Sequence, residues 1–290
     1  MTKSLIQIGI VHYPGALLSA VQGLSEQFYL ANTLCHQYGC EETFNTRIID
    51  GLQIDTPDTE ETEPLQVIIL PPCLDDSYYL KPEARLIDWL KKHHQNGTII
   101  CSVCAGAFVL AETGLLDGRR VTTHWALAND FASRYPRIGL DIQKLLINDV
   151  DIITAGGLMS WVDLGLELVA QFTNSQIMRQ LGRFLIVDTG PREQSYYLSF
   201  TPKLDHGDEA IIRVQHQLQR DFQKTVVIRH LAELSHLTER TFLRRFVKAT
   251  GLKPTQYLQQ LRIQKACELI ETSAKSVSYT HLRAHETLRY

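Results

Sequence analysis

The sequence predicts a three-layer α/β sandwich, with a parallel sheet covered by helices, followed by a small all-α domain. Over roughly the first 185 residues, short apolar runs rich in Val and Ile alternate with longer helical patterns. That order is typical of a parallel sheet with helical crossovers. Beyond about residue 208 only helical patterns remain. A chain of 290 residues is long enough for two unequal domains.

The elements of the first domain follow from these patterns in order. The run at 98–103 is continuously apolar, as expected for a strand covered on both faces. The helix at 82–95 places Leu86, Trp89 and Leu90 on one face, and Gly97 ends it. The predicted strands are 5–11, 46–50, 66–70, 98–103, 120–124 and 151–157, and the predicted helices are 19–36, 82–95, 105–113, 126–134 and 162–172.

Near residue 190 the pattern changes. Segment 189–207 is rich in Pro, Gly and other turn residues and has neither helical nor strand periodicity, which predicts a linker. The predicted domains are therefore 1–188 and 208–277, with a tail at 278–290 that continues neither pattern.

Charge is distributed unevenly between the two parts. The net charge of −3 divides into −9 for residues 1–207 and +6 for residues 208–290. A basic second part indicates a polyanionic partner, although an uneven surface without function is the alternative. The spacing of the six cysteines is not that of a disulfide framework. No apolar run approaches the ~18 residues of a membrane span. The N-terminus is typical of a first strand rather than a signal peptide. We therefore expect reduced thiols, a cytoplasmic location and no membrane partner.

The segment 226–258 predicts a helix-turn-helix. A short helix at about 228–234 turns Leu231 and Ala232 inward, and a tight break at 235–237 precedes Thr238, a suitable N-cap.

The second helix of this pair has two distinct faces. Phe242 and Phe246 lie one turn apart on its apolar face, whereas Arg240, Arg244 and Lys248 form the opposite ridge. A cationic ridge on a braced helix suits the major groove of DNA, where Arg bonds guanine and nearby cations neutralise phosphates. A solvated basic face on an ordinary helical domain is the alternative. Gly251 and Pro254 mark the helix end and the next helix start.

Residues 228–277 as a whole resemble the DNA-binding domain of AraC/XylS-type regulators. The resemblance implies double-stranded DNA as a partner, a base-facing set and a backbone-facing set of side chains, and a homodimer that reads paired half-sites. The predicted base-facing residues are Arg240, Leu243 and Arg244, the predicted backbone-facing residues are Arg245 and Lys248, and Thr238 and Thr241 complete the predicted surface.

Domains of this family carry two helix-turn-helix units joined by a long helix, here 254–272. The second unit would begin at 275–277, and the 13 residues after Val277 do not resemble it. We therefore expect the first unit and the linker helix only, a tail at 278–290 that is artefactual or disordered, and weak or absent specific DNA binding.

The stretch TIICSVCAGAFVLAETG (98–114) ends an apolar strand at Cys104 and passes through Ala105 into a helix. Together with Val-Thr-Thr-His124, it resembles the PfpI-like superfamily over about residues 5–185. The resemblance implies a flavodoxin-like parallel sheet with Cys104 on a strand-to-helix elbow and His124 near the same pocket. Helix N-termini of this kind lower thiol pKa values and attract anions.

Enzymes of that superfamily also place a carboxylate beside the cysteine, after the first strand. Here no acidic residue occurs before Glu26, which falls inside the following helix. We therefore predict no catalytic residue, no cofactor and no metal, with Cys104 and His124 as a vestigial elbow. The alternatives are a cysteine-dependent hydratase or amidohydrolase and a redox pair of Cys101 with Cys104.

The order of the two parts resembles the GlxA-type transcriptional regulators of bacteria. The resemblance implies a sensor or dimerisation domain that binds a small molecule, such as an amine or amino-acid derivative. Residues that follow strands 1 and 3 at their carboxyl ends are expected near Cys104, because open α/β sheets bind ligands there. The predicted pocket residues are Tyr13, Gly15, Pro72, Cys73, Cys104, Ala105, His124 and Trp125.

Overall fold

A computed structural model of the chain describes residues 4–54, 63–190, 192–194, 200 and 202–272. The chain divides into two compact units, Met1–Leu198 and Ser199–Tyr290. The predicted tail at 278–290 and the predicted start of a second helix-turn-helix at 275–277 lie outside the described residues. The predicted domain limits remain predictions.

The strands of the first unit are β1 (Leu5–His12), β2 (Thr43–Asp50), β3 (Val67–Leu70), β4 (Ile99–Val103), β5 (Arg120–Val121), β6 (Gly139–Leu140), β7 (Leu146–Asp149) and β8 (Ile152–Ala155). Six of them form one sheet in the order β2-β1-β3-β4-β8-β7. The first five strands of that order run parallel, and β7 pairs with β8 in the antiparallel direction. This is the flavodoxin-like strand order with one antiparallel edge strand added, so the predicted fold class is confirmed.

Helices cover both faces of the sheet. The chain moves from β1 to β2 in one direction and from β3 to β4 in the opposite direction, so right-handed crossovers place the helix that follows β1 on one face and the helices between β3 and β4 on the other. The helices of the first unit are α1 (Leu18–Tyr38), α2 (Asp76–Tyr79), α3 (Ala84–Gln95), α4 (Gly106–Ala111), α5 (Ala128–Arg134), α6 (Trp161–Phe172) and α7 (Ser175–Leu185). Helices α1, α6 and α7 pack against one another.

The structure differs from the predicted elements in the region between β4 and β8. The predicted strand 120–124 is only two residues long and pairs with β6 in a separate two-stranded sheet. Thr122 and Thr123 follow this strand as buried residues outside it. The Thr122 N–H donates to the Thr154 hydroxyl and not to a carbonyl of a neighbouring strand. His124 therefore does not end a strand. The edge strand β7 and the helices α2 and α7 were not predicted from the sequence.

The predicted linker 189–207 also contains structured residues. Glu193 pairs with Lys144 in an antiparallel bridge, and Gln194 is buried in the first unit.

The second unit is all-helical, with α8 (Glu209–Arg220), α9 (Ile228–Leu234), α10 (Glu239–Thr250) and α11 (Pro254–Thr272). The helix ends have local causes. Asp208 caps α8, Thr238 caps α10, and Gly251 ends α10 in the left-handed conformation, with φ of 75°. Between α9 and α10 the chain turns at His236, which has φ of 54°.

The core of the second unit is aromatic at its centre. Phe246 is fully buried, with its ring 5.5 Å from that of Phe242 and 5.3 Å from that of Tyr257. Apolar side chains from all four helices surround these rings. The predicted inward residues Leu231 and Ala232 are among them. Helix α10 therefore packs with one face against α8, α9 and α11, and its opposite face is exposed.

Candidate ligand site and DNA-binding surface

The carboxyl ends of β1 and β3 meet at the point where the strand order reverses. The Leu74 N–H donates to the Gly15 carbonyl at 2.8 Å, and the Leu17 N–H donates to the Pro72 carbonyl at 2.8 Å. The Tyr13 hydroxyl donates to the Pro71 carbonyl, and its ring stacks on Tyr78 at 5.3 Å. Residues that are far apart in sequence thus form one edge of the predicted site.

Cys104 lies directly after β4 with φ of 54°, a conformation that costs a non-glycine residue on the order of 1 kcal/mol. Two hydrogen bonds hold it there. Its N–H donates to the Ala155 carbonyl at 2.8 Å, and its carbonyl accepts from the Thr123 hydroxyl at 2.7 Å. The strained turn at 103–106, called the elbow below, is therefore fixed to β8 and to the residues that follow β5.

The Cys104 thiol is not activated in this structure. Burial raises its pKa to about 11, although the Ala105 N–H partly opposes the shift, and Cys73 raises it further. Burial also raises the pKa of Cys73. At neutral pH the Cys104 sulfur is therefore a protonated thiol, whereas nucleophilic cysteines act as thiolates.

His124 is placed to cap a turn rather than to accept a proton from a thiol. Its Nδ1 accepts the Ala126 N–H at 3.1 Å, and it begins a short 3₁₀ turn at Trp125–Leu127. Burial lowers the pKa of His124, so the imidazole is neutral near pH 7. Because Nδ1 is the acceptor, the proton of the neutral ring is on Nε2, which then only donates. The His124 ring stacks on Trp125 at 5.3 Å.

The predicted pocket residues divide into a buried group and an accessible group. Gly15 is exposed, and His124 and Trp125 are half-buried. We call these three residues the mouth. The buried group consists of Tyr13, Pro72, Cys73, Cys104 and Ala105. A surface groove of about 390 Å³ lies elsewhere in the first unit, between β7, α6 and α7.

Glu26 and Cys101, the other groups of the first unit considered for chemistry, differ in their exposure. Glu26 lies exposed within α1. Cys101 is fully buried in β4, in register with Ile69 and Ile153 of the neighbouring strands. Among the described residues, no group of three or more His, Cys, Asp or Glu side chains could hold a metal ion. In the same part of the chain, no helix is long and apolar enough to cross a membrane.

We predict that the reactivity of Cys104 toward iodoacetamide rises about tenfold per pH unit from pH 8 to pH 10. The reason is that alkylation requires the thiolate, and burial holds the pKa of Cys104 at about 11. Peptide-resolved mass spectrometry measures the rate, with N-acetylcysteine as the reference thiol. A Cys104 rate that is already constant above pH 7 would contradict this prediction and would favour the enzyme alternative.

In the second unit, the outer face of α10 carries the predicted base-facing residues. Arg240, Leu243 and Arg244 are exposed, and so is Lys248 one turn further along. No ion pair of Arg240, Arg244 or Lys248 is found among the described residues. Three unpaired cations in one row can therefore bind phosphates or base edges without first breaking a salt bridge.

Arg245 differs from its neighbours on α10. Its Nε donates to Asp208 Oδ2 at 2.8 Å and its Nη2 donates to Oδ1 at 2.6 Å. Since Asp208 also caps α8, Arg245 joins α10 to α8. The sequence had predicted that Arg245 contacts the DNA backbone. Thr238 and Thr241 are likewise engaged with each other at the start of α10, with hydroxyl oxygens 3.0 Å apart.

Comparison with known proteins identifies both parts of the chain. The DJ-1/PfpI family matches residues 50–171, and a helix-turn-helix domain matches residues 231–284, past the predicted end of that domain at 277.

The most similar curated relatives include regulators and one enzyme. The HTH-type transcriptional regulator CdhR of Pseudomonas aeruginosa is 31% identical over 193 residues, covering 66% of this chain and 57% of that protein. The HTH-type transcriptional regulator ArgR of the same organism is 27% identical, covering 65% and 57%. Isonitrile hydratase of Pseudomonas putida is 29% identical, covering 42% and 52%. The chain thus spans little more than half the length of these relatives.

Among solved structures, one described as a transcriptional regulator protein from Vibrio parahaemolyticus has a TM-score of 0.54 at 20% identity. The match covers 63% of this chain and 100% of that one, and at this identity it shows the fold alone. The two family matches and the two observed units agree. The chain combines a DJ-1/PfpI domain with an AraC-type helix-turn-helix domain.

Proposed function

We propose that this protein is a sequence-specific DNA-binding transcriptional regulator whose DJ-1/PfpI domain senses a small molecule. The observation that carries the proposal is the row of unpaired cations on α10, a helix capped at both ends and packed on one face only. The regulators among its relatives support the proposal. Such a protein would act in the cytoplasm, on double-stranded DNA.

The experiment that tests DNA recognition compares single Arg variants. A duplex selected from a random-sequence pool by the wild-type chain is the probe, because the operator is unidentified. We expect Arg244→Ala to weaken binding of that duplex about tenfold to hundredfold, the usual cost of one lost bidentate base contact. Arg240→Ala should behave alike. Fluorescence anisotropy at fixed salt measures the dissociation constant.

The matched control is Arg213→Ala, which removes an exposed positive charge from α8 and not from α10. It should change the dissociation constant less than threefold. Equal losses for Arg213→Ala and Arg244→Ala would mean that only net charge matters, and unchanged binding by Arg244→Ala would remove α10 from the DNA interface. Arg245→Ala should instead lower stability, because it breaks the pair with Asp208.

We propose further that the effector is an amine or amino-acid derivative that binds at the mouth, against Trp125. Aromatic faces attract cations, and Trp125 and His124 present stacked, half-exposed rings there. The buried residues beneath them would form the floor of the site. Dimerisation is proposed because a dimer reads paired half-sites, and sedimentation of the full chain measures it.

Titration with a panel of quaternary amines and amino acids tests the effector proposal. We expect at least one compound to change the tryptophan fluorescence of the wild-type chain in a saturable way. Trp125→Leu should abolish that change, whereas Trp89→Phe, at a half-buried tryptophan on α3, should retain it. Saturable binding that survives Trp125→Leu would place the effector elsewhere.

We propose no catalytic activity for Cys104. Three observations support this: a raised thiol pKa, an imidazole whose acceptor nitrogen is engaged, and Glu26 lying exposed on α1. Isonitrile hydratase remains a relative of the first domain. A cysteine-dependent enzyme would lose turnover on Cys104→Ser, whereas a regulator should retain its DNA binding.

A further inference from the structure

The segment 192–194, called the latch below, begins the stretch of chain that leads from the first unit to the second. Three kinds of contact attach it to the first unit. Arg192 forms an ion pair with Asp163 of α6. The side chain of Glu193 forms an ion pair with Lys144 at 2.8 Å, and the Gln194 N–H donates to the Gln143 carbonyl at 2.8 Å.

Gln194 provides the most buried of these attachments, with 2% of its surface exposed. Its Nε2 lies 3.0 Å from the Thr122 hydroxyl, the Thr123 carbonyl and the Lys144 carbonyl, so its two N–H groups are shared among three acceptors. Two of these acceptors are backbone carbonyls, which fixes the amide with its nitrogen inward. Gln194 Oε1 has no partner among the described residues.

Gly156 makes room for this side chain. A Cβ atom on Gly156 would lie 1.9 Å from Gln194 Nε2, so any larger residue would expel the amide. Thr122, Thr123, Lys144 and Gly156 together form a socket around Gln194. A buried polar side chain in a close-fitting socket has two distinct arrangements, inserted or released, because partial withdrawal leaves its donors unpaired.

The socket is joined to the elbow by two short routes. In the first, the Thr123 hydroxyl donates to the Cys104 carbonyl at 2.7 Å, while the Thr123 carbonyl accepts from Gln194. In the second, the Cys104 N–H donates to Ala155, whose next residue is Gly156. Thr123 also directly precedes His124 of the mouth. A displacement of either the elbow or His124 therefore changes the positions of Gln194's acceptors.

We propose that Gln194 is a positioning residue that couples the mouth and the elbow at Cys104 to the chain that leads into the helix-turn-helix unit. Occupancy of the mouth favours one arrangement of the latch, to the extent that the occupant prefers it. The biological meaning rests on the proposed regulatory function. The coupling itself is a property of the first unit and is measured without DNA or effector.

The test perturbs each end and measures the other. Thr123→Val removes the hydroxyl that bonds the Cys104 carbonyl and keeps the carbonyl that accepts from Gln194. We expect amide hydrogen exchange in the latch to become about tenfold faster in this variant. Gln194→Ala should make alkylation of Cys104 by iodoacetamide about tenfold faster. Cys104 alkylation is then measured in both single variants and in the double variant. The acceleration in the double variant should be smaller than the product of the two single accelerations, because the two groups belong to one network.

Two controls separate coupling from general loosening. Cys35, fully buried in α1, reports opening of the whole unit. Lys144→Gln removes the half-exposed ion pair with Glu193 and keeps the carbonyl used by the socket, so both rates should change less than twofold.

Several results would overturn the proposal. One is unchanged latch exchange in Thr123→Val, which decides the matter even if Gln194→Ala does not fold. Another is unchanged Cys104 alkylation in Gln194→Ala, or equal acceleration at Cys35 and Cys104. Multiplicative effects in the double variant would make the two ends independent. Any of these would leave the proposed DNA-binding function standing.

Discussion

Phe246→Ala is expected to unfold the helix-turn-helix unit while the DJ-1/PfpI unit stays folded. Phe246 is fully buried and contacts the rings of Phe242 and Tyr257. Truncation of a buried Phe costs about 3–5 kcal/mol of unfolding free energy. A helical unit of roughly 70 residues has about 4–10 kcal/mol in total. The loss therefore removes most or all of its stability.

Two optical signals separate the units in this experiment. The three tryptophans of the chain, Trp89, Trp125 and Trp161, all lie in the first unit, so their fluorescence should be unchanged. Far-UV circular dichroism should show a loss of helix, and DNA binding should disappear. Val247→Ala is the matched control on the next residue, which is 40% exposed, and should cost under about 0.5 kcal/mol. Full helicity in Phe246→Ala would contradict the assigned core.

Gly15→Ala is expected to destabilise the first unit by about 2–5 kcal/mol. Gly15 has φ of 75°, which costs a residue with a side chain about 1–2 kcal/mol. In addition, a Cβ atom would lie 2.3 Å from the Cβ of Asp75 and 2.8 Å from its backbone nitrogen. Relieving that overlap by moving backbone adds about 1–3 kcal/mol. The loop after β1 and the loop after β3 would separate.

Gly118→Ala measures the backbone part of this effect alone, so the difference between the two variants isolates the steric part. Gly118 has φ of 76°, the same backbone cost, but nothing lies within 4 Å of its Cβ position. Urea unfolding followed by tryptophan fluorescence should show a loss of about 1 kcal/mol for Gly118→Ala and a much larger one for Gly15→Ala. Equal losses would mean that the close approach of Asp75 does not matter.

Much of the fold follows from local patterns that the sequence displays. The buried strands β1, β3, β4 and β8 are predominantly apolar runs, and such runs identify covered strands without any knowledge of their partners. The helix-turn-helix was equally visible, because caps at Thr238 and Gly251 and the alternation of Phe and Arg faces are local features. The strand β7 escaped prediction. Its turn is made by Val150 at φ of 68°, a residue type that rarely adopts that conformation.

The candidate site was predicted less completely than the fold. The motif located Cys104 and His124, and the structure holds both near the carboxyl edge of the sheet. It could not show that Cys104, Tyr13 and Cys73 would be buried, since burial depends on how separate loops close over them. Arg245 was assigned to DNA, but Asp208, 37 residues away, pairs with it. Gln194 lies in a stretch that has the composition of a linker. Only its hydrogen bonds to residues distant in sequence show that it is attached to the first unit.

The amino-acid sequence by itself determined the two-part architecture, the elbow motif and the cationic face of α10. These depend on periodicity, capping and residue type, which act over a few residues at a time. The tertiary structure decided which groups are available for chemistry. It places the Cys104 thiol where burial raises its pKa, engages the His124 acceptor nitrogen, and inserts Gln194 between Thr122, Thr123 and Lys144. Burial and hydrogen-bond partnership arise from residues that are distant in sequence, so no local pattern encodes them.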